Sequence, residues 1–149
     1  MELQIHALPE AMQALSGYDK DVVETHADVA VKVLLSHPSA AMKIVLIKGG
    51  KDNIQLPHYH AEGFDFFVVI QGRARVHVAP VINGEASDGS WSHVELVPGD
   101  CYSIQPGLGH CIQNFSEEDL IVVNVSPHEH ASSDYITLDT TVPERLMAA

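Results

Sequence analysis

His58 and His60 flank Tyr59, Asp65 follows them closely, and His110 comes much later in the chain. Imidazole and carboxylate are side chains that bind divalent first-row metals. On an extended segment the side chains alternate in direction, so residues i and i+2 point to the same side. His58 and His60 therefore aim two imidazoles at one point if their segment is a strand. A carboxylate and a third imidazole brought to that point would complete a site for one ion. Such an ion can polarise a carbonyl, stabilise an enolate or, if it is iron, activate dioxygen. A chain with ten histidines produces an H-x-H pair easily, so the pair gains weight only from the elements that position it.

Those elements read as strands. Runs rich in β-branched and apolar residues cover 27–35, 41–48, 54–60, 64–71, 73–79, 92–97, 101–105, 109–114 and 120–125. Each break carries a turn signal, among them Gly49-Gly50, Gly72, Pro98-Gly99-Asp100 and Pro106-Gly107. Short strands at this spacing predict an all-β sandwich or barrel. Residues 8–16 predict a short N-terminal helix, with Pro9 in the first turn, Glu10 at the positive end and Gly17 as the stop. Residues 80–91 are a polar stretch expected to form an extended hairpin loop, and the tail from about Pro127 is expected to hold one more strand at 135–138 and a loose end. The 149 residues fit one domain over 1–149, with a barrel core at about 27–126.

Facing follows if Gln71-Gly72 is a two-residue hairpin turn. Opposed residues share a face, so Asp65, Phe67 and Val69 would join Ala74, Val76 and Val78 on an apolar interior. One carboxylate then sits among apolar neighbours and needs compensation, which a metal would give. Phe66, Val68 and Ile70 would lie outside beside Arg73, Arg75 and His77, so His77 is expected at the surface or an interface. An apolar outer patch needs a cover, either the N-terminal strands or a second subunit, and a homodimer is the expectation.

Lys and Arg number 8 against 20 Asp and Glu, a formal charge of −12. That balance repels phosphate backbones and anionic membranes, so neither nucleic acid nor membrane is an expected partner. No apolar run approaches the roughly 20 residues of a membrane span, and the N-terminus lacks a signal-peptide pattern. A cytoplasmic protein binding a divalent cation and a small-molecule ligand fits best. Cys101 and Cys111 form no C-x-x-C motif and read as small buried hydrophobes, with a disulfide under oxidising conditions left open.

The spacing resembles the cupins, small β-barrels of jelly-roll type, also described as double-stranded β-helices. Their first motif is G(x)5HxH(x)3–4E(x)6G, and the chain offers His58-x-His60, Asp65 and Gly72, with Gly50 two positions further back than the first glycine of the pattern. Their second motif is G(x)5PxG(x)2H(x)3N. Here Gly99, Gly107, His110 and Asn114 fall in place, with Gln105 in the proline slot and Pro106 after it. The resemblance implies His58, His60, Asp65 and His110 as ligands of one divalent transition metal: Fe, Mn, Ni, Co or Zn. Asp65 departs from the pattern, being one methylene shorter than glutamate, so direct ligation, action through water and orientation of a histidine all stay open. Glu62 is a weaker candidate because it falls on a turn. Phe67 and Val76 are expected in the apolar pocket wall, with Tyr102, Gln105 and Asn124 as further lining residues.

The resemblance implies a metal-dependent oxygenase, isomerase or lyase acting on a small molecule. A non-catalytic ligand-binding cupin and a metal-free sugar isomerase or epimerase remain alternatives. The second pair, His128-Glu129-His130, has no partner motif and reads as solvated tail.

Overall fold

The computed structural model describes residues 22–26, 29–50, 53–127 and 134–147. Its strands are β1 (Val22–His26), β2 (Val29–His37), β3 (Ala40–Ile47), β4 (Asn53–Ile54), β5 (His58–Tyr59), β6 (Asp65–Gln71), β7 (Ala74–Pro80), β8 (Ser92–Leu96), β9 (Cys101–Ile104), β10 (Leu108–Asn114), β11 (Leu120–Ser126) and β12 (Ile136–Thr137). One short helix, α1 (Glu144–Met147), follows them. The expected helix at 8–16 and the His128–His130 pair lie outside the described residues. No helix among the described residues is long and apolar enough to cross a membrane.

The strands make two antiparallel sheets. One runs β1-β2-β3-β11-β6-β9, and the other runs β12-β5-β10-β7-β8 with β4 also paired to β10. The sheets pack face to face over a core of Val29, Val45, Ile47, Phe67, Val69, Val76, Ile112, Leu120 and Val122. Strand alternation turns every second residue inward, and Val, Ile and Phe suit the pleated surface. The architecture is the all-β double-stranded β-helix that the motif spacing predicts.

Two expectations about chain path fail. β6 and β7 are not a hairpin, because β6 pairs with β11 and β9 while β7 pairs with β10 and β8. Gly72 carries the chain from one sheet to the other at φ 82°, and a Cβ there would sit 2.9 Å from the Leu120 backbone. The interior set is nevertheless right, since the inner faces of both sheets meet in one core. Residues 54–60 form no continuous strand but two short pieces, β4 and β5, both laid against β10.

The tail is not loose where it is described. β12 pairs with β5 through Ile136–Tyr59 and Thr137–His58. Leu138 and Val142 then join Ala79, Trp91 and Cys111 in a second core on the outer face of the β7–β10 sheet. Arg75 donates to the Leu146 carbonyl at 3.1 Å. His77 does face outward, but it is completely buried there, so it is not a surface group. Cys111 is buried as expected and Cys101 is exposed, and the two sit in different sheets. The loop 80–91 closes as expected, through an Ile82–Glu85 bridge and a 3-10 turn at Asp88–Ser90.

Candidate metal centre

β5 and β10 pair at one position, His58 opposite His110. Opposed residues share a face, so these two imidazoles start side by side on the inner face, with ring centroids 4.4 Å apart. His60 lies two residues beyond His58 and turns the same way, its ring centroid 5.2 Å from that of His58. Tyr59 points the other way, into the outer core. The end of β5 is held by the turn after β9, where the Gly107 amide donates to the His60 carbonyl at 2.7 Å. Gly107 has φ 79°, a left-handed conformation that suits the glycine of the second motif.

From the opposite wall, β6 delivers Asp65. All four side chains are buried, and one ligand atom from each lies within 4.8 Å of the others. Asp65 Oδ2 is 3.1 Å from His60 Nε2 and 3.4 Å from His110 Nε2. Asn124 on β11 donates from Nδ2 to Asp65 Oδ1 at 2.8 Å, which turns the other oxygen toward the imidazoles. The shorter arm of aspartate therefore suffices to bring the carboxylate to the histidines.

The remaining ring nitrogens fix the tautomers. His58 Nδ1 donates to the Leu56 carbonyl and His110 Nδ1 to the Leu108 carbonyl, each at 2.9 Å. His60 Nδ1 donates to the carbonyl of Asp134. With Nδ1 carrying the proton, each Nε2 presents a lone pair to the barrel interior. A backbone carbonyl behind each ring is the arrangement that orients metal-binding histidines. His110 Nε2 is buried with no hydrogen-bond partner among the described residues. Burial, and then repulsion from His110, push the His58 pKa down to about 3, so that ring is neutral near pH 7.

These residues fit a divalent transition ion. Donor atoms about 2.1 Å from one ion lie at most about 4.2 Å apart, so the group needs only a small contraction. Three imidazoles, a carboxylate and a buried Nε2 without a hydrogen bond among the described residues are a suitable donor set. Glu62 is exposed on its turn and stands outside the group.

Of the expected lining residues, Phe67 and Val76 are core side chains below the site, and Tyr102 stacks on Phe67 with centroids 5.0 Å apart. Asn124 holds Asp65, while Gln105 is exposed just past β9. Asn114, the motif asparagine, donates to the carbonyls of Ile47, Lys48 and Glu118 and so braces strand ends away from the ligands.

Three neighbours escaped the sequence reading. Tyr135 stacks on His58 with centroids 4.1 Å apart. The Asp134 carboxylate accepts from the amides of Ala61, Glu62 and Gly63 while its carbonyl holds His60. Neither residue carries a sequence signal, because nothing in the spacing ties the tail to β5. Lys43 did carry one: it alternates with Val45 and Ile47, both core residues, and so faces inward.

The cupin-domain family model matches residues 43–126, more than half of the chain. No curated protein matches the sequence significantly. Among solved structures, an uncharacterised conserved protein with a double-stranded β-helix domain from Klebsiella pneumoniae subsp. pneumoniae MGH 78578 superposes with TM-score 0.66 at 20% identity, over 93% of this chain and 100% of its own. KdgF from Halomonas sp. superposes with TM-score 0.57 at 18% identity, over 74% and 87%. Oxalate decarboxylase from Lactobacillus farciminis, in a formate complex, gives TM-score 0.62 at 24% identity over 82% of this chain and 34% of its own. Two sheets of this topology, both motifs on the strands that meet at the site and the family match together establish that the chain belongs to the cupin family.

Proposed function

We propose that the chain is a metal-dependent enzyme acting on a small molecule, with one divalent transition metal held by His58, His60, His110 and Asp65. The observation that carries this reading is the set of three Nδ1–carbonyl hydrogen bonds, which turn three Nε2 lone pairs toward one carboxylate. A set of inert core histidines has no need of that convergence. The bound ion supplies Lewis-acid polarisation of a substrate oxygen, with dioxygen activation added if it is iron. Three or four protein ligands leave open positions on an octahedral ion.

The protein's own residues do the rest. The backbone carbonyls hold the rings in their tautomer, Asn124 fixes the rotation of the Asp65 carboxyl, and Phe67, Tyr102 and Val76 keep the floor below the ligands dry. Oxygenase, isomerase and lyase chemistry all begin from such a site. The structural likeness to an oxalate decarboxylase holding formate supports a small-molecule ligand. A homodimer is part of the same reading. An apolar row of Leu35, Met42, Val125 and Phe66 crosses the outer face of the larger β3–β11–β6 layer, and sedimentation of the purified chain tests it.

Elemental analysis of untagged protein is the direct test. About one transition-metal ion per chain is expected, and it should be lost in a His58→Ala/His60→Ala double variant that remains folded. A folded wild-type protein that neither contains nor takes up a transition metal overturns the proposal.

A further inference from the structure

One row of side chains crosses the inner face of the wall opposite the histidines. Lys43 on β3 is paired with Asn124 on β11, Asn124 with Phe67 on β6, and Phe67 with Tyr102 on β9. Directly opposed residues share a face. Phe67 packs in the core and Asn124 reaches Asp65, so the whole row looks into the barrel.

The row is chemically graded. A stacked Phe67–Tyr102 pair makes an apolar platform, with rings 12° from parallel. The Tyr102 hydroxyl is buried with no hydrogen-bond partner among the described residues. At the other end stands a cation. Lys32 sits opposite Ile44 on the outward alternation, Lys48 pairs with Asp119, Arg73 and Arg75 pair with Glu95, and Arg145 donates to Asp88. Lys43 is the one lysine or arginine among the described residues that faces the barrel interior, and among those residues no ion pair or hydrogen bond engages its ammonium.

We propose that Lys43 is the specificity-determining residue for substrate charge: its ammonium receives the carboxylate of a small organic acid whose other polar end reaches the histidine cluster. The inference rests on reading the barrel interior as a small-molecule site, and it adds the chemical class of the ligand. A half-buried ammonium with no ion pair among the described residues is costly, and an incoming carboxylate supplies a charge-assisted hydrogen bond in compensation. Burial holds the Lys43 pKa below the ordinary lysine value, and the Asp65 carboxylate opposes that shift only in part. In a chain of net charge −12, the one inward-facing cation among the described residues gives an organic anion an attractive end point. Asn124 links the two ends of the site, lying beside Lys43 while holding Asp65.

The test compares acids with their neutral analogues. Short mono- and dicarboxylates from acetate to adipate, including pyruvate and glycolate, are titrated calorimetrically against the corresponding amides. Metal content is measured on the same samples, and the titrations are repeated after chelation. At least one acid should bind roughly tenfold or more tightly than its amide, the weight of one partly desolvated charge pair. Lys43→Met should remove that preference by weakening the acid and leaving the amide within about twofold, whereas Lys43→Arg should retain most of it. Lys43→Gln serves in place of Lys43→Met if the latter does not melt like wild type. A folded Lys43→Met or Lys43→Gln variant that keeps the preference overturns the proposal, as does a wild type that binds no acid of the panel. A Lys43-dependent preference in protein that takes up no metal would sustain the inference while sinking the metal reading. Stoichiometric metal without Lys43 dependence would do the reverse.

Discussion

Three histidines and a fourth are buried back to back on the two faces of one sheet, and they are wired in opposite senses. On the inner face, His58, His60 and His110 spend Nδ1 on backbone carbonyls and present Nε2 to a carboxylate. On the outer face, His77 on β7 spends Nε2 on Gln113 Oε1 at 2.8 Å, and its Nδ1 is buried without a hydrogen-bond partner among the described residues. Its neighbouring ring, His93, is 5.7 Å away and exposed. Burial is similar for His77 and His110, and they occupy adjacent strands. What differs is convergence. The inner rings share a focus beside one carboxylate, while the outer ring is tied to one amide. A buried histidine is thus not a ligand by virtue of burial, and the tautomer set by its second nitrogen is the better guide.

The comparison can be broken most sharply at Asp65. Asp65→Asn keeps the shape and removes the charge beside His60 and His110. Metal affinity measured by chelator competition should fall by about 10- to 100-fold, and a His77→Leu variant should load as wild type does. If both variants lose metal alike, the distinction between the faces fails. Next in size is the stability of the outer group. His77→Leu deprives the buried Gln113 carbonyl oxygen of one donor, and urea denaturation should report a loss of about 1–3 kcal/mol. A neutral outcome would mean that Gln113 finds full compensation elsewhere.

Protonation offers a finer separation. Burial lowers the pKa of both His58 and His77 below the usual 6.5. Each therefore binds a proton more readily in the unfolded chain. Their stabilising effect is complete above pH 6.5 and is lost as the pH falls, for His58 over the window from 6.5 toward about 3. In metal-free protein each should contribute a slope of at most about 1.4 kcal/mol per pH unit within its window. The urea midpoint followed from pH 7 to pH 4 should flatten in His77→Gln and in His58→Gln. With metal bound, release of the ion on acidification should depend on His58 and be indifferent to His77. An acid-release profile shifted by His77→Gln would erase the contrast.

The sequence made the inner set legible because its parts are local. H-x-H on an extended segment fixes two directions at once, and the glycine-framed second motif places His110 on the next strand in space, where it meets His58 in register. Alternation also told which residues of β6 and β7 face inward. It could not tell whether they are neighbours or face one another across the core, since two inner faces packed together carry the same pattern as one hairpin. That is why the β6–β7 pairing was misread while Asp65, Phe67 and Val76 were placed correctly. His77 was misread for a related reason. Outward orientation is not exposure, because the outer face of this sheet carries a second core, completed by a C-terminal segment whose docking has no local signature. Lys43 was within reach of the same alternation that placed Val45 and Ile47, but a lone lysine in a strand reads as solvated until its register is known.

The smallest expected effect concerns that segment's hold on the inner set. The Asp134 side chain accepts amide hydrogen bonds from Ala61, Glu62 and Gly63, and its main-chain carbonyl receives the His60 proton. Burial tends to raise the Asp134 pKa, but the amides of Gly63, Ala61 and Glu62 outweigh it and keep the carboxyl below its ordinary value. Asp134→Ala leaves the carbonyl in the chain and removes only the clamp that positions it. Metal affinity should therefore drop about two- to tenfold, roughly the weight of one net hydrogen bond, with faster hydrogen exchange at the amides of Ala61 and Gly63. Asp134→Asn, which keeps one acceptor oxygen, should fall between. His77 has no such tether, so the same substitution should leave the outer group's stability contribution unchanged in a double-mutant cycle with His77→Leu. If exchange at Ala61 and Gly63 accelerates while metal affinity stays at the wild-type value, the tail only covers the barrel, and His60 is oriented by β5 alone.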